Sequence, residues 1–83
     1  MKIYKLYRKD QGDYDTYDSA VVVAENEESA KKINPNGLGK EVSNDFIDPW
    51  SQTWVLLDDV QVEYIGETEI DTSQVLVASF NTL

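Results

Sequence analysis

Four closely spaced aspartates form the group of side chains most suited to chemistry in this sequence: Asp10, Asp13, Asp15 and Asp18. Carboxylate oxygens are ligands that Ca²⁺ and Mg²⁺ prefer. The spacing does not match an EF-hand loop, because Gly12 precedes the closest pair and no bidentate Glu closes the segment. Acidic residues in a loop are ordinarily solvated, so we predict no metal site here.

Two tyrosines alternate with these aspartates in the run D-Y-D-T-Y-D. Tyrosine offers contact area with a polar tip at low entropy cost and is enriched where proteins recognise one another. Carboxylates along such a loop can also stand in for phosphates opposite Arg and Lys of a partner. The run therefore contributes five candidate partner-binding residues: Asp13, Tyr14, Asp15, Tyr17 and Asp18. The alternative is that the rings fold back over the sheet edge and fix the loop.

Two tryptophans lie four residues apart in D-P-W-S-Q-T-W, at positions 50 and 54. In a small protein an indole normally belongs to the core or covers it. An exposed one would be a candidate hot spot for a partner. Trp50 is the better candidate of the two, because Pro49 places it at a turn.

Catalytic equipment is sparse in these 83 residues, which contain no His and no Cys. The usual general base near neutral pH, the thiolate nucleophile and the commonest zinc ligands are therefore missing. No Ser lies in a G-x-S-x-G elbow, and Gly37-Leu38-Gly39-Lys40 is only a superficial echo of a phosphate-binding loop. We predict a protein that is not an enzyme and that uses no cofactor.

Charge is the strongest feature of the composition, with 16 acids against 7 bases and a net charge of -9. The first nine residues carry four bases and no acid, whereas residues 41–83 carry nine acids and no base. Such a field repels phosphate backbones, so direct nucleic-acid binding is not expected. It attracts a basic groove on another protein. High charge also serves solubility alone, which is the alternative explanation.

The elements that must position these residues follow from hydrophobic patterning. Strands are predicted over 2–8, 20–24, 60–65 and 75–80, and a helix of about eight residues follows the N-cap Asn26. Residues 36–53 are expected to be loop, with 54–57 a short strand or a lead-in. The order β-β-α-β-β predicts a single α+β domain over 1–83, with a mainly antiparallel sheet of about four strands. The acidic loop 66–74 adds three candidate partner-binding residues: Glu67, Glu69 and Asp71.

The N-terminal segment MKIYKLYRKD has no apolar run long enough for a signal peptide, and no segment approaches the ~20 residues of a membrane span. We therefore expect a cytoplasmic protein without membrane contact, as a monomer or homodimer.

Three stretches carry a resemblance to a known group of proteins: Y-D-x-Y-D-x-x-V-V-V-A-E-N-E-E-S-A from Tyr14, D-V-Q-V-E-Y-I-G-E from Asp59, and V-L-V-A-S-F-N from Val75. Together they cover about half of the chain and resemble small acidic proteins from phages and bacterial genomes, which are mostly uncharacterised. The resemblance implies an origin and provides no catalytic residues. Small acidic phage proteins often bind and block host proteins, including nucleic-acid-handling defence enzymes such as CRISPR effectors.

Three functional hypotheses follow. The first is an acidic inhibitor or DNA mimic, which requires the loops 10–18 and 66–74 and the acids of 41–63 to form one continuous face. The second is a small-ligand or nucleotide-binding module with a pocket lined by Trp50, Trp54, Tyr64 and Lys40. The third is a structural accessory protein that pairs through a sheet edge, with the basic strand 2–8 as the exposed edge.

Overall fold

The computed structural model describes residues 1–9, 16–37, 39, 41–44 and 53–81, except for the side chain of Asn81. These described residues form four strands: β1 (Lys2–Arg8), β2 (Thr16–Ala24), β3 (Val60–Glu67) and β4 (Gln74–Asn81). One α-helix, α1 (Glu27–Lys31), follows β2, and a 3₁₀ helix (Leu57–Asp59) leads into β3. The predicted α+β class and the order β-β-α-β-β are confirmed.

The strands form one open sheet in the order β3-β1-β2-β4, and every neighbouring pair is antiparallel. β1 and β2 are therefore the inner strands. The expectation that the basic strand β1 forms an exposed edge is wrong. Tyr4 and Leu6 of β1 are buried on one face while Lys5 points to the other, so the strand can be paired on both sides without burying its charges.

β2 is an interior strand, as its run of small and β-branched residues predicted. Val22, Val23 and Ala24 are fully buried. Ala20 faces Leu6 of β1 on one side and Ala78 of β4 on the other. Apolar residues on both faces suit a strand with neighbours on both edges.

The helix begins as predicted and ends earlier. Asn26 caps it, since its Oδ1 accepts the N–H of Ser29 at 2.8 Å. The helix then covers five residues instead of about eight. Lys32 is the C-cap, and its carbonyl accepts the N–H of Val42 at 2.9 Å. The N–H groups of Lys32 and Ile33 donate to the carbonyls of Ser29 and Ala30, three residues back, so the last turn tightens and the helix ends early.

The core lies on the face of the sheet that α1, Val42 and residues 53–57 cover. Its buried members come from β1, β2, α1, β3 and the segments around Val42 and Trp54: Tyr4, Leu6, Ala20, Val22, Ala24, Ala30, Val42, Trp54 and Val60. Val75 and Ala78 of β4 are partly buried against them. Trp54 is only 6% exposed, so its predicted core position is confirmed. Residues 53–56 are the lead-in to β3, ending in the 3₁₀ helix at Leu57.

Candidate protein-interaction surface

Bases and acids that lie far apart in the sequence become neighbours in the sheet. Because β3 pairs with β1, Lys2 lies opposite Glu67 and Lys5 lies opposite Glu63. Directly opposed residues of opposite charge stabilise an antiparallel pair. The lysines of β1 therefore offset part of the negative charge that the second half of the sequence places on β3. The remaining negative charge lies mainly where the strands end.

One end of the sheet gathers three chain segments. Lys2 of β1 pairs with Ala24 at the end of β2 and with Glu67 at the end of β3. Met1 and Thr68 close this end, since the N–H of Thr68 donates to the carbonyl of Met1 at 3.0 Å and the N-terminal nitrogen donates to the carbonyl of Thr68 at 3.2 Å. Two segments that leave the sheet here, residues 25–28 and 67–71, are acidic.

The connection 68–73 runs along this end from one edge strand to the other. It must cross three gaps between strands, about 14 Å at ~4.8 Å each. Six residues reach about 20 Å when fully extended, so the connection is long enough to follow this end of the sheet. Glu69 and Asp71 are exposed, and so are Thr72 and Ser73.

We call this surface the acidic end. It consists of six exposed carboxylate residues from two segments of the chain: Glu25, Glu27, Glu28, Glu67, Glu69 and Asp71. Lys2, half-buried, lies between the two segments. The first three were not among the predicted site residues. The antiparallel pairing of β1 and β2 places Glu25 beside Lys2, but the sequence alone does not show that β3 ends beside Lys2 as well.

Tyr64 ties one carboxylate of the acidic end in place. Its hydroxyl donates to Oε2 of Glu67 at 2.9 Å, and its ring meets Tyr4 edge-to-face at 5.9 Å between centroids. The bond to Glu67 raises the pKa of Tyr64 above its ordinary value, and desolvation and electrostatic interaction with Glu67 and Tyr4 contribute less. Tyr64 therefore stays protonated, and Glu67 keeps a fixed orientation.

Replacing Glu67 with glutamine is expected to lower the pKa of the Tyr64 phenol toward that of a free tyrosine, because the charged acceptor is lost. Since the folded-state pKa is raised, this bond stabilises the fold below the pKa of the unfolded phenol and is lost as the pH rises through the folded-state value. NMR titration of the Tyr64 ring carbon measures the shift. Glu63→Gln on the same strand is the matched control and should leave that pKa unchanged.

Of the remaining predicted site residues, two lie at the other end of the sheet and four lie outside the described residues. Tyr17 and Asp18 lie near the opposite end, where Tyr17 pairs with Phe80. Asp13, Tyr14, Asp15 and Trp50 lie outside the described residues. Asp18 therefore lies at the opposite end of the sheet from Glu67, Glu69 and Asp71, because β2 and β3 carry these residues to different ends.

Tyr17 has a structural role. Its ring packs edge-to-face against Phe80 at 4.9 Å, and it is half-buried against the core. Its N–H donates to the carbonyl of Thr53 at 2.8 Å, and its own carbonyl accepts from Arg8 at 3.4 Å. The alternative in which this ring folds back onto the sheet is the observed one.

A cleft of about 460 Å³ lies between α1, the segment 34–37 with Gly39 and Glu41, and the start of β4. Lys32, Ile33, Glu41, Gln74 and Val75 are among its lining residues. This is not the pocket predicted from Trp50, Trp54, Tyr64 and Lys40. Trp54 is in the core and Tyr64 is 55% exposed on β3, while the other two lie outside the described residues.

Two structural findings bear on the expectations about metal binding and membrane spans. Among the described residues, no group of three Asp or Glu side chains is arranged to hold a metal ion. Of the four clustered aspartates only Asp18 is described. No helix in the described ranges is long and apolar enough to cross a membrane.

Comparison of the chain with protein-family models, with curated proteins and with solved structures finds no significant match.

Proposed function

We propose that this protein is a non-enzymatic interaction module whose acidic end binds a basic surface on a protein partner. The observation that carries the proposal is the convergence of six exposed carboxylates at one end of the sheet, where two segments distant in sequence meet. A chain without His or Cys lacks the usual groups for catalysis, which favours binding over reaction.

The kind of partner follows from the electrostatics. Exposed carboxylates separated along the connection present a series of negative charges, as a nucleic-acid backbone does. A basic channel that binds DNA or RNA would be complementary to them, and opposite potentials increase the rate of association. We therefore propose an inhibitor that occupies the nucleic-acid site of a host defence protein, in line with the resemblance to small acidic phage proteins.

Affinity capture from host lysate tests this proposal. We expect a basic partner to be retained in about 50 mM salt and released in about 500 mM salt, because salt screens charge pairs that remain near solvent. Adding duplex DNA or RNA should displace the protein from the same partner. A partner that is retained equally at both salt concentrations, or no specific partner, would contradict the proposal.

The cleft beside α1 favours a second candidate function, the binding of a small ligand. Its volume lies within the range of ligand pockets, and it combines apolar Ile33 and Val75 with polar Lys32, Glu41 and Gln74. Native mass spectrometry of protein purified from its host discriminates between the two functions. A stoichiometric small molecule would support ligand binding, whereas bare protein would favour the protein partner.

A further inference from the structure

The cleft beside α1 is lined by one basic and one acidic residue, Lys32 and Glu41. A backbone bond joins the two segments, since the N–H of Val42 donates to the carbonyl of Lys32 at 2.9 Å. Although their backbones are neighbours, Lys32 and Glu41 form no ion pair with each other or with another described residue. Two opposite charges are therefore left for a ligand in the cleft.

Apolar side chains and hydroxyl groups complete the lining. Ile33 follows the C-cap of α1, Val75 lies near the start of β4, and both are partly buried against the core. Ser29 of α1 and Ser73, which precedes β4, add hydroxyl groups. A ligand that fits this lining has an apolar part and charged groups of both signs.

Local hydrogen bonds and glycines shape the walls of the cleft. The N–H of Gly37 donates to the carbonyl of Asn34 at 3.0 Å, and Nε2 of Gln74 donates to Oγ1 of Thr72 at 3.1 Å. Gly37 and Gly39 have φ values of 74° and 84°, and a Cβ at either would meet no atom within 4 Å. The walls are thus held before a ligand arrives, which lowers the entropic cost of binding.

Anions with several charges do not suit this cleft. Lys32 is the only base among its described lining residues, and the net charge of -9 repels a phosphate group. The cleft also lies at the C-terminal end of α1, where the partial charge of a helix is negative. A molecule that carries one ammonium and one carboxylate group has no net charge, so it avoids this repulsion.

We propose that the cleft binds a free amino acid with an aliphatic side chain. Its carboxylate pairs with Lys32, its ammonium group pairs with Glu41, and its side chain contacts Ile33 and Val75. This inference rests on the small-ligand function proposed for the cleft and names the class of ligand. A dissociation constant of about 1 mM is expected for a ligand with about nine non-hydrogen atoms in an open cleft.

Titration of the isotope-labelled full chain with L-leucine, followed by amide NMR shifts, tests the proposal. The largest shifts should lie at Ser29, Ile33 and Val75, which line the cleft. N-acetyl-leucine lacks the ammonium group, and leucine methyl ester lacks the carboxylate. Each should bind about 10-fold more weakly than leucine, because one charge pair is lost while the apolar side chain is kept.

Charge-neutralising variants test the same pairs from the side of the protein. Lys32→Gln and Glu41→Gln should each weaken leucine binding about 10-fold. In Glu41→Gln, acetylation of the ligand should cause little further loss, because the partner of the ammonium group is already gone. Lys31→Gln and Glu28→Gln are the matched controls on α1, outside the cleft lining. They should bind leucine within about twofold of the wild type.

The absence of shifts at the cleft up to about 20 mM leucine would overturn the proposal. Equal binding of leucine and its two analogues would overturn it as well, and so would tighter binding of adenosine monophosphate. If leucine fails while native mass spectrometry finds another small molecule, the ligand class is wrong and the small-ligand function stands. Bare protein in that experiment as well would contradict both. Affinity capture tests the acidic end independently of all these results.

Discussion

Replacing Trp54 with alanine is expected to lower the free energy of unfolding by about 3 to 5 kcal/mol, because the change removes the largest side chain of the core. Trp54 is 6% exposed and belongs to the same cluster as Leu6, Val22 and Val60. Its packing in the core also holds residues 53–56 against the sheet. Domains of this size have total stabilities of about 5 to 15 kcal/mol, so the variant should be close to unfolding. Urea denaturation followed by circular dichroism measures the loss.

Trp54→Phe is the matched control. Among the described residues the indole Nε1 has no hydrogen-bond partner, so phenylalanine loses volume but no hydrogen bond. We expect it to retain most of the stability that alanine loses. Leu76→Ala, at an exposed position of β4, should change stability by less than about 1 kcal/mol. If Trp54→Ala were no more destabilising than Leu76→Ala, the assignment of Trp54 to the core would be wrong.

Neutralising three carboxylates of the acidic end is expected to weaken binding of the captured partner by about 10- to 100-fold, through lost steering and lost charge pairs. The variant combines Glu67→Gln, Glu69→Gln and Asp71→Asn. These side chains are exposed, so the fold should lose little beyond the interactions of Glu67 with Tyr64 and Lys2. Isothermal titration calorimetry at about 50 mM salt, where exposed charge pairs are only partly screened, gives the affinity.

The matched control removes the same number of charges elsewhere, by Asp18→Asn, Asp58→Asn and Asp59→Asn. These residues are exposed as well and lie toward the opposite end of the sheet. Because the net charge changes equally, a general electrostatic effect would weaken both variants alike. Binding by the control should stay within about threefold of the wild type, since single distant charges act weakly through solvent. A larger loss in the control than in the acidic-end variant would contradict the proposed site.

Much of the fold follows from local patterns in the sequence. The β-branched run at Val21–Val23 predicts an inner strand, and Asn26 predicts the start of the helix, because both depend on neighbours in the chain. Burial of Trp54 follows from its size in a protein with a small core. The class and order of elements could therefore be predicted without coordinates.

The placement of β1 and the location of the site could not be predicted in the same way. The charges of β1 suggest an edge, but strand order depends on pairing between β1 and β3, some 60 residues apart. That pairing decides that Glu67 meets Lys2 and that the connection 68–73 follows the end of β2. Negative charge distributed along the sequence thus becomes a localised acidic end only through long-range register, which local patterns do not encode.

Carbodiimide cross-linking of the captured complex tests the central claim most directly, because the reagent joins carboxylates only to lysine amines in contact with them. Mass spectrometry of the linked peptides identifies the carboxylates that touch the partner. We predict links from Glu67, Glu69 and Asp71 and from the segment 25–28. Links confined to Asp18, Asp58 and Asp59, or spread evenly over the exposed acids, would contradict the acidic end as the binding surface.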